Sequence, residues 1–249
     1  MNIKRTFLSI IGLLICVFLI FGWFKINEGG PVPYPINTGS FFTIGSAIVD
    51  PMTLLEDVRK GNEPLLQQVQ SGLPEDTSFV MSIGWSQNDY LEIAQALYQV
   101  IWKDDPSNWH LYRMSFYTGC ENPSGKFEDA DLYYYQEVKK DGKRKYSVRA
   151  ISIKPQYGYI TWGGDTFYPS PFFQWKVINL KEVTVTAEKA LRRAETSGGM
   201  EFRRSVENKC DIDVLLWPDA FERYDWWVVY WDDNISSKNR RTEFWVPTK

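Results

Sequence analysis

The chain has 249 residues, 28 Lys+Arg against 31 Asp+Glu, one His and three Cys. A hydrophobic fraction of 44% supplies a core and excludes global disorder, and a net charge of −3 gives a nucleic-acid partner no electrostatic support. One His with three Cys excludes the common zinc layouts.

Phe7 to Phe24 carry no charge. At 1.5 Å rise the run spans roughly 27 Å, close to the hydrocarbon thickness of a bilayer. Lys4 and Arg5 precede it and Lys25 follows, so the positive-inside rule keeps the N-terminus cytoplasmic. Bulky Phe21, Trp23 and Phe24 stand where a signal-peptide cleavage site needs small residues. The expectation is a cytoplasmic tail (1–6), an uncleaved transmembrane signal anchor (7–24) and an extracytoplasmic remainder. The part from Ile26 onward keeps 25 basic and 31 acidic residues and a net charge of −6.

Gly29, Gly30, Pro31, Pro33 and Pro35 mark residues 25–49 as a spacer. Asp50-Pro51 is a helix start, with Asp as N-cap and Pro at N1, and Gly61 stops that helix. A second helical turn is expected over Pro64 to Gln70. The clearest helix runs from about Asn88 to Asp104, with Leu91, Ala94, Leu97, Tyr98 and Ile101 on one face. The hydrophobic period then becomes two. Trp109–Tyr117, Asp131–Val138 and Tyr146–Ile153 read as strands, the last two joined by the hairpin pair Asp141-Gly142. Tyr157–Trp162 adds a strand that Gly163-Gly164 ends. Beyond Pro169 and Pro171, Val177–Val185 reads as a strand. Thr186 opens a helix bearing Ala187, Ala190, Leu191 and Ala194, with its stop at Gly198-Gly199. Asp211–Trp217, Trp226–Trp231 and Thr242–Val246 complete the set.

Each half thus carries a helix followed by a meander of about three strands. The expected class is α+β: an N-terminal transmembrane helix, then helices packed on antiparallel β-meanders, with two similar halves as a suspicion. Residues 50–170 are the first α+β domain and 171–249 the second.

From Val183 to Val246, about a quarter of the chain, the sequence resembles a PepSY-type, cystatin-like module. The resemblance lies in the Ala-rich helix TAEKALRRAETSGG, the strand DIDVLLW, and YDWWVVYWDD followed by RTEFWV. Ala187, Ala190 and Leu191 match the family's helix, and Trp227 to Tyr230 match its aromatic strand. The chain ends VPTK, where the family commonly closes with an Asp, a short gap and a Gly. The resemblance implies an extracytoplasmic binding, inhibitory or regulatory module and carries no catalytic residue.

No catalytic residue, metal ligand set or cofactor is expected. His110 sits in no motif, and neither a nucleophile elbow, a phosphate loop nor an HExxH occurs. Asp232-Asp233-Asn234 lacks the spacing of a calcium loop, and Asn234-Ile235-Ser236 is a glycosylation sequon. Glu128, Asp129, Asp131, Asp211 and Asp213 read as acids at strand ends, although a paired-carboxylate glycosidase would need no His.

Tyr133-Tyr134-Tyr135 and Trp226-Trp227 place rings on both faces of their strands. Tyr134, Trp226 and Trp227 are the candidate partner-binding residues. Cys16 lies within the membrane run, so Cys120 and Cys210 are the disulfide candidates, two free thiols being the alternative. The expected function is a single-pass, membrane-anchored, non-enzymatic binding or regulatory protein. It meets the membrane through residues 7–24 and takes a protein, peptide or envelope partner, not a nucleic acid. The alternative is an anchored carbohydrate-binding or glycoside-hydrolysing protein that uses exposed aromatics and paired carboxylates. A concave groove holding two carboxylates beside aromatic rings would favour the enzyme.

Overall fold

The computed structural model describes residues 42–69, 83–121, 123, 125–140, 142–167, 177–218, 224–233 and 240–249. The expected tail (1–6), the transmembrane anchor (7–24) and the sequon at 234–236 lie outside them. Among the described residues no helix is long and apolar enough to cross a membrane.

The elements in chain order are β1 (Phe42–Ile48), α1 (Pro51–Lys60), β2 (Gln67–Val69), α2 (Gln87–Trp102), β3 (His110–Gly119), β4 (Asp129–Lys140), β5 (Lys143–Lys154) and β6 (Tyr159–Phe167). Then come α3 (Ala187–Ala194), a π turn (Glu195–Gly199), α4 (Met200–Ser205), β7 (Cys210–Pro218), β8 (Tyr224–Asp232) and β9 (Arg241–Pro247). All nine described strands join one antiparallel sheet in the order β2-β1-β6-β5-β4-β3-β7-β8-β9.

This corrects the expected fold class. The described chain is mostly one nine-stranded sheet with few helices, rather than α+β halves of helices on separate meanders, and the described residues contain no N-terminal transmembrane helix. The physical reason is the pairing of β3 with β7, Met114 opposite Leu216 through Gly119 opposite Asp211. It makes one ladder of strands from both sides of residue 170.

Local signals place most elements. Asp50 Oδ1 accepts from the Met52 N–H at 2.9 Å, and Gly61 ends α1 in the left-handed region at φ 76°. Ser86 and Asp89 form a capping box at the start of α2. Lys140 pairs with Lys143 around the expected two-residue hairpin. Four expectations change. The predicted turn over Pro64–Gln70 yields strand β2, because the open edge of β1 takes Gln67–Val69 as a partner. Residues 42–48, read as spacer, are β1, wedged between β2 and β6. Val177–Val185 is no strand: the Ile178 N–H goes to the Leu111 carbonyl and both Thr184 and Val185 N–H groups go to the Thr248 carbonyl. Gly163-Gly164 does not end β6, because Gly163 fits between Thr43 and Ala150 inside the ladder.

The core lies between one sheet face and the helices. Phe116, Met114, Leu132, Ile151, Ile212 and Trp226 are fully buried there with Tyr90, Ile93 and Leu97 of α2 and Ala190 and Leu191 of α3. Burying this many large apolar side chains, each worth about 1.5–3 kcal/mol, is the main stabilising term. Alternation sends their neighbours to the opposite face.

Candidate functional site

The opposite face carries two rows that cross the strands. By register, one row reads Asp129, Tyr117, Asp213, Val229 and Glu243 from β4 to β9. The next reads Ser152, Asp131, Ser115, Leu215, Trp227 and Trp245 from β5 to β9. The rows form because alternate positions of each strand feed the core, and the positions between them bring acidic and aromatic residues to this face together with Ser115, Ser152, Leu215 and Val229.

At the β8–β9 end, the indoles of Trp227 and Trp245 stack with centroids 5.6 Å apart and planes 11° from parallel. Trp245 is 53% exposed. The Trp227 Nε1–H donates to Glu243 Oε2 at 3.0 Å, and Arg241 Nη2 lies 3.9 Å from the same oxygen. The Arg241 guanidinium sits over the Trp231 ring, 5.2 Å from its centroid. Trp231 in turn donates its Nε1–H to Asp213 Oδ2 at 2.8 Å.

At the centre of the sheet, the Tyr117 hydroxyl donates to Asp131 Oδ2 at 2.9 Å. Burial pushes the Asp213 carboxyl up to about 6, against the bond from Trp231, with Asp211 adding repulsion. Burial also pushes Asp129 up to about 6, opposed by Lys154 and the Gln156 side chain. Glu128 and Asp211 are raised by burial and by neighbouring carboxylates. Asp129 and Asp213 stand two strand spacings apart, roughly 10 Å between backbones, with Tyr117 between them in the row. A glycosidase pair needs open space between its acid and its base or nucleophile; here a tyrosine side chain fills it.

The candidate residues read from the sequence separate by face. Trp226 is fully buried and donates its Nε1–H to the Val185 carbonyl at 2.7 Å. Tyr134 faces α2, edge-on to Tyr98 at 5.4 Å, and burial raises its hydroxyl pKa. Of the three, Trp227 alone stands on the face turned from the helices. Cys120 and Cys210 are joined as a disulfide with Cα atoms 5.2 Å apart, both buried. His110 is exposed at the start of β3, its ring 5.6 Å from that of Tyr135. Among the described residues no three His, Cys, Asp or Glu side chains gather as a metal site.

A cavity of about 890 Å³ opens between α1 and α2, lined by Arg59, Glu63, Glu92, Gln95, Gln99 and Lys103. Its lining alternates in charge and carries no aromatic ring. Sequence reasoning missed Trp245, Glu243, Arg241 and Trp231. Their alternation along β8 and β9 was visible, but only the β8–β9 register, Trp227 opposite Trp245, brings them together.

Searches of protein-family models, of curated proteins and of solved structures each return no match to this chain.

Proposed function

We propose that the chain is a single-pass, membrane-anchored extracytoplasmic binding protein, non-enzymatic, which presents the outer sheet face at β8 and β9 to an envelope component. The observation that carries this reading is the exposed Trp245 stacked on Trp227. Trp is among the residue types enriched where contact surfaces carry most of their binding energy, and two stacked indoles present a flat apolar surface of that kind. The buried Cys120–Cys210 bridge supports the extracytoplasmic side, because such bonds persist in oxidising compartments. The PepSY-type resemblance of residues 183–246 supports a binding or regulatory role.

The test is photocrosslinking in intact cells from a reactive amino acid at position 245, with Met52, exposed on α1, as the control position. Adducts specific to position 245, on protein that external protease digests, are the expected outcome. Identical adducts from both positions, or complete protection from protease, would overturn the reading.

A further inference from the structure

We infer that the indole of Trp245 is a stacking platform for an uncharged pyranose chain, a refinement that rests on the binding reading above. Trp227 covers one face of the Trp245 ring. Strand β9 is last among the described strands of the sheet, and Trp245 is 53% exposed, so the ring face turned from Trp227 points past that edge. Edge strands are normally guarded by charge, and Arg241 and Glu243 already supply it on the same face of β9. A third outward position bearing the largest apolar side chain adds nothing to that protection. It adds a flat apolar surface.

The platform is held in place. Glu243 fixes Trp227 through its indole N–H, and Trp227 fixes Trp245 through the stack, so little side-chain entropy remains to be lost on binding. A pyranose with equatorial substituents offers a face of axial C–H groups to such a ring and a rim of hydroxyls to polar neighbours. Arg241 and Glu243, each with a side chain 41% exposed, provide a donor and an acceptor at the rim. Their charges cancel locally. The carboxylates of Asp211 and Asp213 lie inward of them on β7, and the net charge of −6 from Ile26 onward repels anions. The surface therefore suits a neutral sugar.

A peptide added as a further strand fits less well. Thr184 and Val185 both donate to the Thr248 carbonyl just beyond the C-terminal end of β9, and Pro247 offers no N–H. A basic peptide stacking an arginine on Trp245 is the remaining competitor.

The test uses the full-length chain in a zwitterionic, sugar-free detergent, because glycoside detergents would compete. Chitohexaose, cellohexaose, polygalacturonate and an oligoarginine peptide are titrated by tryptophan fluorescence and calorimetry. Saturable binding of a neutral hexasaccharide, at a Kd on the order of 10 µM to 1 mM, is expected, with no binding of polygalacturonate. Trp245→Ala should weaken it about tenfold or more at unchanged Tm, and Trp245→Tyr should recover most of the loss. No response to either neutral sugar up to about 10 mM, or equal binding by Trp245→Ala, overturns the inference. Trp245-dependent binding of the peptide alone overturns the sugar but leaves the binding reading standing; loss of the position-245 adducts as well removes both.

Discussion

Gln87 and Glu188 cap each other's helices. The Gln87 side-chain carbonyl accepts the Ala187 N–H at 2.7 Å, and Glu188 Oε1 accepts the Gln87 N–H at 2.6 Å. Thr186, the N-cap residue of α3, makes no side-chain cap bond. A residue a hundred positions earlier in the chain does that work, and the two helix N-termini are locked together across the middle of the sequence.

Gln87→Ala should therefore cost about 1–2 kcal/mol, the usual worth of a helix cap, because the Ala187 N–H is left buried and unpaired. Hydrogen exchange of the Ala187 amide should accelerate together with that of the α2 N-terminus. If the Ala187 amide keeps its protection, the cap is not supporting α3.

The disulfide makes a separate prediction. Cys120 and Cys210 are 90 positions apart, and closing so long a loop restricts the unfolded chain by about 4–5 kcal/mol in the chain-entropy account. Cys120→Ser with Cys210→Ser should lower stability by that order, measured by urea unfolding. In the denatured, unreduced chain only Cys16 should react with a thiol reagent. Three reactive thiols would rule the bridge out.

The sequence made local features legible and left the long-range ones hidden. The cap at Asp50, the Asp141-Gly142 hairpin and strands β3, β4, β5, β7, β8 and β9 follow from turn chemistry and period-two hydrophobicity, whereas the Ser86 cap is not among the features read from the sequence. Register does not. Nothing in the strand Trp109–Tyr117 announces that it pairs with Asp211–Trp217, yet this pairing joins both segments in one sheet. The Arg149 environment was equally hidden. Its guanidinium lies 4.0 Å from the Trp109 ring centroid and 4.9 Å from that of Trp102, while bonding Asp104 and the Tyr98 hydroxyl. Four side chains from the stretch 98–109 converge on it, and no local pattern around Arg149 encodes that. At the candidate site, Trp227 could be named from alternation alone; its partner Trp245 could not.

Stability should depend on pH through Asp129 and Asp213. Each carboxyl titrates near 6 in the folded chain against 3.8 as its ordinary value, so between those values the folded state holds more protons than the unfolded one. Stability is then highest below about pH 4 with respect to these groups and falls as pH rises through 6, by at most about 3 kcal/mol each. Urea unfolding at pH 4.5 and 7.5 measures the difference. Asp213→Asn, which keeps an acceptor for the Trp231 N–H, should gain stability at pH 7.5 and change little at pH 4.5. An equal effect at both values would show that burial of this carboxylate is not the cause.

Gly198-Gly199 reads in the sequence as a helix stop, and the helix kinks there, non-helical at Gly198 within the π turn, before a second helical segment runs from Met200 to Ser205. Gly198 takes φ 125° inside that turn. The need at Gly199 is space: a Cβ there would lie 2.5 Å from the Tyr230 hydroxyl oxygen, 2.6 Å from its ring carbon Cζ and 3.0 Å from the Ala194 carbonyl. Tyr230 is fully buried and donates its hydroxyl to Glu195 Oε1 at 2.7 Å. Glu195 also accepts from Arg203, and Arg203 Nη1 donates to the Cys120 carbonyl at 3.0 Å and to Asn208 Oδ1 at 2.9 Å. One glycine thus sets the approach of a network that ties the helix to the disulfide. Gly199→Ala should displace Tyr230 and cost about 1–3 kcal/mol, the usual range for overpacking, plus whatever part of the Glu195 bond is lost. Tyr230→Phe removes the clashing oxygen, leaves the ring and Arg203 in place, and should cost about 1–2 kcal/mol. In that background Gly199→Ala should cost less, because the ring, no longer held by its bond to Glu195, can tilt away from the Cβ that its Cζ would otherwise meet at 2.6 Å. A double-mutant cycle read by urea unfolding measures the coupling. Strict additivity would mean that Gly199 is required by the helix backbone and not by the hydroxyl of Tyr230.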